Sequence, residues 1–193
     1  MKTVLLVIDA QKIYTNSDSE LFCKDSKKTI AKINNLISKF VSLKLPIIFV
    51  RHIHKADGSD LGRMFDYLGE VVTEFDFKEG TEEVDYDPNL NRVKNSFEVV
   101  KNRYSAFKNT ELLDLLKRLN IENIVICGFM TNFCCESTAR EAHDMDYFVE
   151  FIVDATGTPG TDSFDQKEIR KMVGDSLKNG FAKVITTARY LKK

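Results

Sequence analysis

The chain alternates between short, uninterrupted apolar runs and longer stretches in which apolar residues return every three or four positions. Thr3 to Ile8 (TVLLVI) is β-branched and leucine-rich throughout, the pattern of a parallel strand covered on both faces. Asp25 to Leu45 then carries Ile30, Ile33, Leu36, Ile37, Phe40 and Val41 at helical spacing, which predicts an amphipathic helix with these residues facing the core. Pro46 to Val50 (PIIFV) predicts a second buried strand. After a long irregular stretch the alternation resumes: strand Phe97 to Val100, helix from about Asn109 to Leu119, strand Ile124 to Cys127, helix Asn132 to Met145, strand Tyr147 to Val153, helix from about Ser163 to Asn179, and a last strand near Ala182 to Thr186. Six strands alternating with helices predict a three-layer α/β/α fold around a six-stranded, mainly parallel, Rossmann-like sheet, in one domain spanning residues 1–193.

The stretch from His52 to about Asn95 is different in kind, with glycines at 58, 62, 69 and 80 and a charged middle, KEGTEEVDYD. A connection of that length in a compact domain usually covers a site.

Composition narrows the function. With 43% hydrophobic and 30% charged residues, the 193-residue chain is that of an ordinary globular protein, and its net charge of −1 supplies no basic stripe for nucleic acid. The apolar run at the start is interrupted by Asp9, and nowhere do ~18 consecutive apolar residues occur, so neither a signal peptide nor a membrane span is expected and a cytoplasmic location is. Four cysteines, Cys23, Cys127, Cys134 and Cys135, are too few for a disulfide scaffold and are expected to be free thiols.

In open parallel sheets, ligands bind beyond the carboxyl ends of the strands. Reading off those ends places Asp9 after the first strand, Lys101 after FEVV and Gly128 to Cys134 after IVIC, so an acid, an amine and a thiol share one rim. Cys134 falls in the first turn of the predicted helix, where the N–H groups favour a thiolate, and its pKa is expected below the ~8.5 of a free cysteine. Cys135 lies about 100° further round and, with Cys127, is expected to be packing. Vicinal cysteines also lack the two-residue spacing with which a zinc pair chelates one ion. A Gly-rich phosphate loop is missing after the first strand, where DAQKIYTN stands, which removes a nucleotide-binding reading.

Three segments together resemble the isochorismatase-like cysteine hydrolases, the family that includes nicotinamidases and N-carbamoylsarcosine amidases. LLVIDAQ resembles its Asp-x-Gln first-strand ending, VVKNRYSAF its Lys-x-x-Tyr-Ser-x-Phe segment, and GFMTNFCCESTAREA its Gly-x-x-Thr-x-x-Cys nucleophile segment followed by Thr-Ala-Arg. The resemblance implies a catalytic triad of Asp9, Lys101 and Cys134, a cis peptide between Phe129 and Met130, and an oxyanion hole formed by the N–H groups of Met130 and Cys134. It further implies cofactor-independent hydrolysis of a C–N bond in a small amide or carbamoyl compound through a thioester acyl-enzyme, and a homo-oligomer, dimer or tetramer. Gln11, Tyr14, Tyr104 and Phe133 flank the three segments and are candidates to line the substrate pocket. Arg51, His52, His54 and Arg63, in or near the long connection, are candidates to meet an anionic group.

One departure stands out. Some nicotinamidases of the family hold a metal through an Asp-x-His pair after the second strand and a further histidine downstream. Here His52 replaces that aspartate, His54 matches the first histidine, and no histidine lies between His54 and Lys101, so no metal is expected and nicotinamide is the less expected substrate. The competing reading is a redox-responsive or ligand-binding protein of the same fold, in which Cys134 is a sensor thiol.

Overall fold

The computed structural model describes residues 1–66, 69 and 74–193. Its elements are, in chain order, β1 (Thr3–Ile8), α1 (Lys12–Thr15), α2 (Ser26–Ser42), β2 (Ile47–His52), a 3₁₀ turn (Glu82–Val84), β3 (Phe97–Lys101), α3 (Leu112–Arg118), β4 (Asn123–Phe129), a π-helical turn (Thr131–Cys135), α4 (Glu136–Asp144), β5 (Phe148–Gly157), α5 (Gln166–Lys178), β6 (Lys183–Ile185) and α6 (Thr187–Leu191). The six strands form one sheet in the order β3-β2-β1-β4-β5-β6. Every pairing in it is parallel.

Alternation along β1 builds the three layers. Val4, Leu6 and Ile8 enter one core with Leu112, Leu115 and Leu116 of α3, Ala139 and Ala142 of α4, and Ile169, Val173 and Leu177 of α5. Leu5 and Val7 enter the other, with Ile30, Ile33, Leu36, Ile37 and Phe40 of α2 and Tyr190 of α6. Both faces are covered, which is why β1 tolerates no polar residue at its centre. Each fully buried Leu or Ile contributes about 1.5–3 kcal/mol relative to exposure, so these faces dominate the stability of the fold.

Some sequence expectations shift. Val41, assigned to the core stripe of α2, is 50% exposed, because it lies beyond the width of the helix face that meets the sheet. The helix predicted from Asn132 to Met145 is split, with a π-helical turn ahead of α4 in which Cys135 N–H donates to Met130 O at 3.0 Å. β5 runs four residues past Val153, because a register shift against β4 between Ile126 and Gly128 lets pairing resume at Thr156 and Gly157. The connection after β2 is irregular as expected, and parts of it, residues 67, 68 and 70–73, lie outside the described residues.

The strand order reverses direction between β1 and β4, so the chain departs to opposite sides there and leaves a crevice at their carboxyl ends. Gly128 makes the close approach possible. With φ at +125°, it sits where a Cβ would lie 1.9 Å from the Ile8 carbonyl oxygen, so only glycine fits. No helix among the described residues is long and apolar enough to cross a membrane.

Candidate active site

Asp9, Lys101 and Cys134 converge at that crevice, all buried. Asp9 follows β1 directly with φ at +48°, a left-handed conformation that aspartate tolerates better than most residues. Its N–H is held by Val50 O at 3.0 Å, which fixes the turn against β2. Lys101 ends β3, and its Nζ lies 2.7 Å from Asp9 Oδ2, 3.3 Å from Cys134 Sγ and 3.1 Å from Arg103 O. Three ammonium protons thus have three acceptors, and the side chain is pinned in a site with no water contact.

Cys134 sits in the π-helical turn after β4. Its carbonyl accepts from the Thr138 hydroxyl at 2.7 Å, and Thr138 Oγ1 in turn accepts from Ala106 N–H at 3.0 Å, so one hydroxyl ties the segment after Lys101 to the segment carrying the thiol. The peptide bond between Phe129 and Met130 is cis. Met130 O accepts from the N–H groups of Phe133 at 3.3 Å and Cys135 at 3.0 Å.

The protonation states differ from the sequence expectation. Burial pushes the Cys134 thiol up to about 12; the Lys101 ammonium pulls it down, and the Asp9 charge pushes it up again. A lowered pKa was expected from a helix N-terminus, but a π-helical turn stands there and desolvation of the thiolate outweighs the neighbouring cation. Burial also raises the Asp9 carboxyl, partly offset by Lys101, while burial opposes the Lys101 charge and Asp9 and Cys134 more than restore it. The resting centre therefore holds a thiol beside a carboxylate of raised proton affinity, with an ammonium bridging the two.

The remaining candidates are placed variously. Gln11 is fully buried, and its Nε2 donates to His52 O at 3.0 Å and Val84 O at 2.9 Å while Oε1 accepts from His52 N–H at 2.8 Å. Both its donors are committed to backbone, so it straps the end of β2 to the long connection. Tyr14 is buried, its ring stacked on Phe129 with centroids 5.4 Å apart. Tyr104 and Phe133 form a ring pair at 5.2 Å, each 38% exposed. Arg51 pairs with Glu98 at 2.8 Å and Arg63 with Asp66 at 3.1 Å.

Sequence reasoning treated His52 and His54 as departures from a metal motif and as candidates to meet an anionic group. In the structure both are fully buried in the wall of the site. Their Nε2 atoms are 3.1 Å apart, the His52 ring stacks on Phe77 at 4.2 Å, and Phe65 and Phe75 stand edge-on to His54. The strand-end rule applied to β2 would have found His52, since it pairs in register with Lys101. These residues do not assemble a metal centre. Asp60 approaches His54 from its other nitrogen, Nδ1, at 3.4 Å, so it cannot complete a set with the two Nε2 atoms. Among the described residues the one trio of candidate ligands is Asp9, His52 and Cys134, with donor atoms within 4.8 Å of one another. Lys101 already supplies the cation to two of these three. A surface groove of about 1000 Å³ lies elsewhere, beside Phe148 and Phe181 at the amino ends of the strands.

A doubly wound parallel sheet with a buried carboxylate, ammonium and thiol at its switch point defines the class, an open-sheet α/β protein with these three groups in one crevice. The isochorismatase domain model matches residues 3–189, and the chain belongs to the isochorismatase family, as a hydrolase of that family. It is 32% identical over 157 residues to Nicotinamidase 3 of Arabidopsis thaliana, covering 80% of this chain and 72% of that protein. It is 27% identical over 183 residues to the ureidoacrylate amidohydrolase RutB of Serratia proteamaculans, covering 82% and 71% respectively. A cysteine hydrolase structure from Pseudomonas syringae pv. phaseolicola superposes with a TM-score of 0.91 at 26% identity, over 99% of this chain and 91% of that one.

Proposed function

We propose that the protein hydrolyses a C–N bond in a small amide or carbamoyl compound, without a cofactor, through a thioester on Cys134. The observation that carries this reading is the position of Lys101 Nζ, 2.7 Å from Asp9 and 3.3 Å from Cys134 in a fully buried centre. Two relatives are named as a nicotinamidase and a ureidoacrylate amidohydrolase, and amide-type C–N hydrolysis is the chemistry those names share.

In the first half-reaction the Cys134 proton passes to Asp9 as sulfur bonds to the substrate carbonyl carbon. The developing oxyanion is received by the N–H groups of Met130 and Cys134. The C–N bond then breaks, and the leaving nitrogen takes the proton from Asp9. In the second half-reaction Asp9 takes a proton from water as its oxygen attacks the thioester, and returns it to the departing sulfur. Lys101 keeps a positive charge beside Asp9 and Cys134 while the negative charge passes from the Asp9 carboxylate to the substrate oxygen and back. Burial is what makes that effective, because the ammonium acts at short range with little screening.

A redox sensor is disfavoured by the same geometry, since sensor thiols are exposed and of low pKa, whereas Cys134 is buried with its pKa pushed up to about 12. The test is an ammonia-release screen over primary amides and ureido compounds with wild type and Cys134→Ala. Release by wild type alone supports the reading; equal release by both, or none from any compound, contradicts it.

A further inference from the structure

Resting on that reading, we infer that His52 is a specificity-determining residue that accepts a hydrogen bond from an N–H of the substrate, restricting the enzyme to amides and carbamoyl compounds that carry one.

Three observations carry this. The Nε2 atoms of His52 and His54 face each other at 3.1 Å, so one must carry a proton and the other must not. Asp60 decides which. Asn102 Nδ2 donates to its Oδ2 at 3.0 Å and Lys55 N–H to its Oδ1 at 3.0 Å, marking it as an ionised acceptor, and Oδ1 lies 3.4 Å from His54 Nδ1, a charge contact without hydrogen-bond alignment. That negative charge favours the proton on His54 Nδ1, which leaves His54 Nε2 as a lone pair. His52 Nε2 must then be the N–H that donates to it, and His52 Nδ1 is left as an acceptor.

That acceptor has no partner. His52 Nδ1 is buried without a hydrogen bond, on a ring of which one nitrogen lies within 4.8 Å of the Asp9 carboxylate and Cys134 sulfur. A buried acceptor left unpaired costs free energy, so its persistence on a ring that borders the reacting centre marks a place for a donor that arrives with the substrate. Burial and the nearby Lys101 hold the ring neutral, which keeps the lone pair available. The ring cannot swing away, because it is stacked on Phe77 and its backbone N–H and C=O are both held by Gln11.

The experiment has two arms. In wild-type protein labelled at the histidine nitrogens, long-range ¹H–¹⁵N spectra are expected to show His52 protonated at Nε2 and bare at Nδ1, with His54 the reverse. A protonated His52 Nδ1 overturns the inference. This arm needs neither a variant nor activity, so it stands even if the hydrolase reading fails. In the second arm, benzamide and methyl benzoate, which differ in the N–H, are titrated into Cys134→Ala protein with and without His52→Phe or His52→Asn. The preference for the amide is expected to drop about tenfold in His52→Phe and to be largely kept in His52→Asn, whose amide oxygen can accept near the same position. An unchanged preference in a folded His52→Phe protein overturns the inference.

Discussion

Lys101 Nζ stands 3.3 Å from Cys134 Sγ, yet the thiol is pushed up to about 12 rather than ionised. The main reason is burial of the thiol, and Asp9, 2.7 Å from the same ammonium, adds to it by balancing that charge. Removing the Asp9 charge should therefore uncouple two properties that usually travel together. In Asp9→Asn, Lys101 is left to stabilise the thiolate alone, so iodoacetamide should label Cys134 faster at pH 7–8 than in wild type. Hydrolysis should nevertheless fall by about 10²–10⁴, because nothing accepts the proton and returns it to the leaving nitrogen. Slower labelling in the variant would contradict this arrangement of charges.

The acid side of the activity profile depends on the same carboxyl. Asp9 must be ionised to take the thiol proton, and burial, only partly offset by Lys101, raises its pKa. The acid limb of kcat/KM should accordingly lie above the ~3.9 of a free aspartate, and should vanish along with the activity in Asp9→Asn. A wild-type limb at or below that value would oppose a raised carboxyl.

Stability on the alkaline side follows from the buried thiols. Cys23, Cys127, Cys134 and Cys135 are all free and buried, and burial raises the pKa of each. Above the ~8.5 of an exposed thiol the unfolded chain releases protons that the native state keeps, so the unfolded state binds fewer. Their stabilising contribution is complete below that pH and is lost as pH rises toward about 12, the folded value for Cys134. Thermal scans should show Tm declining progressively from about pH 9, and native protein should show no thiolate absorbance at 240 nm at pH 8.

Gly128 offers the sharpest test of the fold at the switch point. Its substitution by alanine drives a methyl to 1.9 Å from the Ile8 carbonyl oxygen at a φ of +125°, and backbone on both sides must move. A loss of at least about 3 kcal/mol is expected in urea unfolding, at the upper end for overpacking because no flexible side chain can yield. A cost below about 1 kcal/mol would mean that β1 and β4 are not packed this closely.

Much of this was legible in the sequence because burial on both faces leaves a simple trace. TVLLVI marks β1 with its observed ends, and strand ends at Asp9 and Lys101 point to the site directly. The helical spacing of α2 was equally plain up to Phe40, and failed at Val41 because periodicity does not report how wide a face the sheet covers. Two features were hidden for physical reasons. The π-helical turn differs from an α-helix by a single hydrogen-bond offset and leaves no periodic trace over five residues, so the environment of Cys134 was misjudged. His52 and His54 gain their meaning from Asp60, Phe77 and Gln11, contacts across the fold that no local spacing encodes.

Covalent acylation of Cys134 is read by intact-protein mass spectrometry. Wild type is mixed with an amide found to release ammonia, quenched in acid within milliseconds to seconds, and mapped by peptide analysis. Expected is a mass increase equal to the acyl group, on the peptide containing Cys134, discharged by neutral hydroxylamine and missing in Cys134→Ala. Turnover without any adduct on that peptide under single-turnover conditions, or turnover that survives in Cys134→Ala, would contradict it.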